Sequence, residues 1–227
     1  MLYNFICAAS FVLMLLLNVL LGKCKRAKTV IRIFSGVIFV YKCAHYIVQN
    51  LRGNLSIPVE ISSISYFLVP VIVAFKIKRL YGAWSFFGIA AGIGYFAFYT
   101  LLGFTVAESF TLTEILTGCF SHGYLLLAGL HLFKNNDFSP SEGPRIWATL
   151  FAMLAWALVF YDLETRGITF IYYIIKPQYL YIFDATALNV LLVFLYYCLL
   201  AAAFAFAVKC FFYCNARRRA KPAAPAA

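Results

Sequence analysis

Seven long apolar stretches run through this chain of 227 residues, and the charges fall in clumps between them. The clumps alternate between rich and poor. Basic residues gather at Lys23, Lys25, Arg26 and Lys28, at Lys76, Lys78 and Arg79, at Lys134 and Arg145, and at Arg217, Arg218, Arg219 and Lys221. The gaps in between hold only Arg52, then none, then Arg166 and Lys176. Thirteen Lys/Arg in one set of gaps face three in the other. Lys and Arg concentrate in the cytoplasmic loops of membrane proteins, so the bias orients the chain. The expectation is an all-α polytopic membrane protein of about seven transmembrane helices, with its amino end outside and its carboxyl end in the cytoplasm.

A helix needs about 20 apolar residues to cross about 30 Å of hydrocarbon. The stretches at roughly 2–21, 29–49, 57–76, 82–103, 112–133, 145–163 and 185–212 meet or approach that length. A single transmembrane domain over 1–213 is expected. The basic tail 214–227 has no apolar period and is expected to be disordered. The first stretch has no basic residue before it and a basic clump after it, the reverse of a signal sequence, so it reads as a retained anchor.

Composition narrows the function classes. Hydrophobic residues make up 64%, charged residues 12%, and the mean hydropathy is +0.88. A soluble domain carries about 25% charged residues, so a soluble fold would leave too much apolar surface in water. The net charge of +11 would suggest nucleic acid in a soluble protein. Here the basic residues flank spans, so topology and anionic headgroups explain them and nucleic-acid binding is not expected. The seven cysteines are scattered with no CxxC pair, which supports neither a disulfide frame nor a zinc site. No metal or other cofactor is expected, and membrane lipids are the expected partners. Short loops without organelle-targeting features fit a multi-pass protein of a bacterial inner membrane.

Two stretches depart from plain spans. Pro70 lies inside the third and should kink it. The fourth holds Gly88 and Gly92, a GxxxG face that lets helices approach closely. No internal repeat is visible, which weakens a reading as an inverted-repeat transporter.

Ionisable side chains inside spans are costly, so each is a functional candidate. Lys42 and His45 are three apart on the second span and share a face. The third brings Glu60, Ser62, Ser63 and Ser65, the fourth Tyr95 and Tyr99, and the fifth Ser121-His122-Gly123. Asp162 stands at the outer end of the sixth. With the topology drawn from Lys and Arg alone, these groups map between mid-membrane and the outer surface. A pocket open to the outer leaflet is the inference.

Each also has a plain structural reading: Lys42 neutralised by Glu60, His45 at a headgroup, serines bonded back to helix carbonyls, His122 in an interhelical hydrogen bond. His122 is the deepest ionisable residue and the best single candidate. A serine becomes a nucleophile when a base takes its proton, and histidine suits that role. Ser62 lies about 8 Å below the start of its span and His122 about 15 Å below the start of its own, at about 1.5 Å per residue. The two meet only if helices tilt or the third span begins deeper.

The run Ile57-Pro-Val-Glu-Ile-Ser-Ser-Ile-Ser65 resembles the Leu-Pro-Leu-His/Glu-Leu-Cys signature of the YwaF-type bacterial integral membrane proteins. Gly88-Ile-Ala-Ala-Gly92, Ser121-His122-Gly123, Asp162, Tyr172-Tyr173 and Lys176-Pro177 follow in that family's order, so the resemblance covers about residues 30–210. That family is similar to a vertebrate transmembrane acyltransferase of ether phospholipids, which uses a membrane-embedded cysteine with a histidine nearby. The resemblance implies that Ser62 occupies the cysteine position and His122 the histidine position. Serine lacks the low pKa of a thiol and would depend more on its base.

Three functions remain open on the sequence. One is a phospholipid acyltransferase or lipid hydrolase with Ser62 and His122 as catalytic residues. Lys42, His45, Glu60, Tyr95, Tyr99 and Asp162 would then bind substrate. The second is a transporter or ligand-binding protein using the same cluster without covalent chemistry. The third is a helical scaffold in which the cluster fixes helix register.

Overall fold

In lipid, a backbone must satisfy its own N–H and C=O groups, and an apolar chain of this kind does so by forming helices. The computed structural model describes residues 2–53, 56–106, 111–160 and 187–220. These residues form seven α-helices: α1 (Leu2–Lys23), α2 (Ala27–Leu51), α3 (Ile61–Ala74), α4 (Tyr81–Val106), α5 (Leu112–Asn135), α6 (Gly143–Phe160) and α7 (Ala187–Ala220). No strand occurs among the described residues. All but α3 are long and apolar enough to cross a membrane, six candidate spans among the described residues. Phe5, Leu16 and Leu20 on α1, Val40 and Leu51 on α2, and Phe194, Leu199 and Phe206 on α7 are exposed. Such apolar outer faces suit lipid, not water.

The bundle is built around α5. A capping box starts it: Thr111 Oγ1 accepts from the Glu114 N–H at 3.3 Å, and Glu114 Oε2 accepts from the Thr111 N–H at 2.8 Å. From Tyr124 to Gly129 every residue is buried. The GxxxG face of α4 is where the two helices meet. A Cβ added at Gly88 would stand 2.9 Å from the Leu125 carbonyl, and one at Gly92 2.6 Å from Leu126 Cβ. Gly129 answers from α5, with 2.8 Å to the Ile89 nitrogen. Ser85 on α4 donates to the Gly129 carbonyl at 2.9 Å across this seam. A second polar link joins α5 to α2, where the Tyr124 hydroxyl donates to Ser35 Oγ at 2.9 Å. Ser35 in turn donates to the Ile31 carbonyl of its own helix at 2.8 Å.

The third span differs from its expected 57–76. Residues 56–60 are not helical, and α3 has only 14 residues, about 21 Å at 1.5 Å per residue. Pro58 and the extended Glu60 (φ −62°, ψ 147°) hold off the helix until Ile61. Irregular backbone is tolerated at membrane depth where protein covers it. Here Val59 is buried and the Pro58 carbonyl accepts from the Trp156 indole at 2.9 Å. Pro70 lies inside α3 as expected. At the far end Lys76 adopts φ +54°, and the Ile77 N–H closes back on the Ile72 carbonyl at 3.1 Å. That left-handed residue ends the helix.

The seventh helix also departs from its expected end, running on to Ala220 and so past residue 213. Partners on the α5–α6 turn hold its last turns. Asn215, fully buried, accepts from the Phe138 N–H at 3.0 Å and donates to the carbonyls of Phe133 (3.1 Å) and Asn136 (3.2 Å). Arg218 donates to the Lys134 carbonyl and, at 3.1 Å, to the Asp137 carboxylate. These bonds fill the orphan carbonyls at the end of α5. Residues 221–227 lie outside the described residues.

Candidate functional site

Ser62 occupies the first turn of α3, and Tyr66 follows one turn later on the same face. The two hydroxyl-bearing side chains are thus neighbours along one face of α3. Across the helix interface, the Tyr66 hydroxyl lies 2.9 Å from His122 Nδ1 and 3.1 Å from Nε2 on α5. His122 Nδ1 is also 3.0 Å from the Gly118 carbonyl, one turn earlier. A carbonyl only accepts, so Nδ1 carries the hydrogen and donates to Gly118. Nε2 is then the acceptor for the Tyr66 hydroxyl. The result is a line of groups, Tyr66 hydroxyl, imidazole and backbone carbonyl, with Ser62 one turn before Tyr66 on α3.

Aromatic rings fix the imidazole. Tyr95 stacks on His122 with centroids 3.8 Å apart and planes 13° apart, and Tyr99 packs on Tyr95 at 4.6 Å. Tyr66 meets the imidazole edge-on at 5.6 Å. Room for the stack comes from Gly118, where a Cβ would fall 2.2 Å from the Tyr95 hydroxyl oxygen. Lys42 on α2 brings its ammonium to 4.2 Å from the Tyr66 ring centroid, a cation–π contact.

The structure therefore brings together Lys42, Ser62, Tyr95, Tyr99 and His122 from four helices. Lys42 stands on the Tyr66 ring. The ion pairs among the described residues join Asp137 to Arg218 and Arg219. Glu60 is the residue immediately before α3, and its side chain does not cap that helix. His45 sits elsewhere, in an aromatic group on α2 with Tyr41 at 6.3 Å and Tyr46 at 5.6 Å. Ser65 bonds back to the Ile61 carbonyl at 2.5 Å, as a serine in a span is expected to. Asp162 lies outside the described residues.

Tyr66 is the member that sequence reading missed. The depths estimated for Ser62 and His122 differ by about 7 Å, and one helical turn rises about 5.4 Å. A hydroxyl four residues after Ser62 fills that offset. The signal was the i, i+4 spacing of a serine and a tyrosine on one span.

The exposed apolar faces and the six helices long and apolar enough to cross a membrane are consistent with a helical integral membrane protein. No family profile, curated protein or solved structure matches the chain.

Proposed function

We propose that this protein is a seven-span membrane enzyme, amino end outside, that moves an acyl chain from a phospholipid through Ser62. The observation that carries the reading is the Tyr66–His122 hydrogen bond, with Ser62 one turn before Tyr66 on the same face of α3. Ser62 Oγ attacks the ester carbonyl, and its proton passes to the Tyr66 oxygen. The proton of Tyr66 passes at the same time to His122 Nε2, leaving Nδ1–H on the Gly118 carbonyl. Ser62 stands at a helix start that Glu60 does not cap, so first-turn N–H groups of α3 are the oxyanion donors in this reading. Lys42 holds the phosphate beside the relay. The departing lysophospholipid alkoxide takes the proton back through Tyr66. A second lysophospholipid hydroxyl, or water, then attacks the acyl-Ser62 ester. The likeness to the YwaF-type proteins points the same way and belongs to this proposal, as does placement in a bacterial inner membrane.

A second reading, passage or binding of an anionic solute without covalent chemistry, takes its support from Lys42. Its cation, set among helices against the relay, suits an anion whether or not an acyl bond breaks.

The test is acyl transfer from a labelled phosphatidylethanolamine to a lysophospholipid in vesicles holding the purified protein. Turnover in the wild type, abolished in Ser62→Ala and lowered about 10²–10⁴-fold in Tyr66→Phe, is the expected result. Unchanged melting of both variants in detergent establishes that they fold. Turnover that survives in Ser62→Ala refutes the enzyme reading. Loss of anion binding in Lys42→Met, with no acyl transfer by any form, supports the second.

A further inference from the structure

Cys7 on α1 and Cys119 on α5 are 112 positions apart, yet their sulfurs lie 3.8 Å from each other and both residues are buried. They come from two helices and face one another in a small cluster with Phe96, Ile115 and Leu126. Tyr95 and Tyr99 pack against that cluster. Composition and spacing give no hint of the pair, because cysteines on separate spans have no local signature.

The contact is the approach that a disulfide requires. A disulfide has its sulfurs about 2.05 Å apart, so closure asks each sulfur to move by roughly 1 Å. That helix is peripheral: 6% of its apolar window is buried, against 61% for α5. The thiol pair is thus held where α1 packs on the central helix. Both thiols are buried, so the oxidant that reaches them has to be small and uncharged.

We propose that Cys7 and Cys119 form a dithiol site oxidised by a hydroperoxide. One thiol takes an oxygen from the peroxide, becoming a sulfenic acid, and the peroxide's remaining oxygen leaves as water or alcohol. The second thiol then displaces the sulfenic oxygen as water, forming the disulfide. Two thiols are oxidised and one peroxide is reduced. The bridge ties α1 to α5 in the layer where Tyr95 stacks on His122. Cys119 and His122 are three apart on α5, so the bridge and the relay share a helix face. The chemistry does not depend on the orientation of the chain, which decides only which compartment supplies the oxidant.

The test is peptide mapping of the purified protein in detergent after hydrogen peroxide and maleimide blocking. It uses the wild type and a form with Cys24, Cys43, Cys198, Cys210 and Cys214 replaced by serine. A linked Cys7–Cys119 peptide in both forms, an intact mass about 2 Da lower in the second, and reversal by dithiothreitol are expected. The proposal is overturned if both cysteines are recovered blocked or singly oxidised, with no linked peptide, while the exposed Cys198 of the wild type has been oxidised.

Discussion

Gly118 carries two duties at once. Its carbonyl accepts from His122 Nδ1 at 3.0 Å, and its missing side chain admits the Tyr95 hydroxyl. Gly118→Ala should push Tyr95 off the imidazole and destabilise the protein by about 1–3 kcal/mol, the usual cost of overpacking. Gly94→Ala is the control, because nothing lies within 4 Å of a Cβ there. Thermal melting in detergent should separate the two, with Gly94→Ala at or above the wild type. Equal melting of all three forms would mean that the Tyr95 stack carries no stability. Sequence reading reached Ser62, Lys42, Tyr95, Tyr99 and His122 because polar groups in spans are rare. It passed over Tyr66 and Gly118 for a physical reason. Tyrosine is common in this chain, which has 16, and a glycine's role depends on a neighbour from another helix.

At the scale of elements, hydropathy located the apolar helices and could not give their ends. The third stretch counts as apolar from residue 57, but Pro58 and the extended Glu60 delay α3 to Ile61. That delay puts Ser62 in the first helical turn. The basic tail reads as solvated because its charges have no local partner, whereas in the fold α7 reaches Ala220 on bonds to residues about 80 positions earlier. Asn215→Ala removes three of those bonds and leaves the buried Phe138 N–H without its acceptor. The expected cost is about 1–3 kcal/mol. Faster amide exchange over 133–138 and 210–220 should accompany it, with Arg217→Ala, an exposed neighbour, unchanged. Uniform exchange in both variants would show that the clamp does not hold α7.

For the whole molecule, the proposed orientation, amino end outside, rests on the Lys/Arg bias alone. Arg52 and Lys78 are exposed at opposite ends of the α2–α3 unit. In a background without native cysteines, Arg52→Cys should react with an impermeant maleimide on intact cells. Lys78→Cys should react only after permeabilisation. The opposite pattern would invert the topology and turn the relay's helix start toward the cytoplasm.

In the proposed reaction Ser62 becomes acylated through Tyr66 and His122. Intact mass after incubation with phospholipid tests it most directly, on the wild type, Ser62→Ala and His122→Ala. The account predicts an acyl-sized adduct on Ser62 in the wild type, absent from both variants, with lysophospholipid released alongside. An adduct that persists in Ser62→Ala, or a wild type that gains no mass and releases no lysophospholipid, would contradict it.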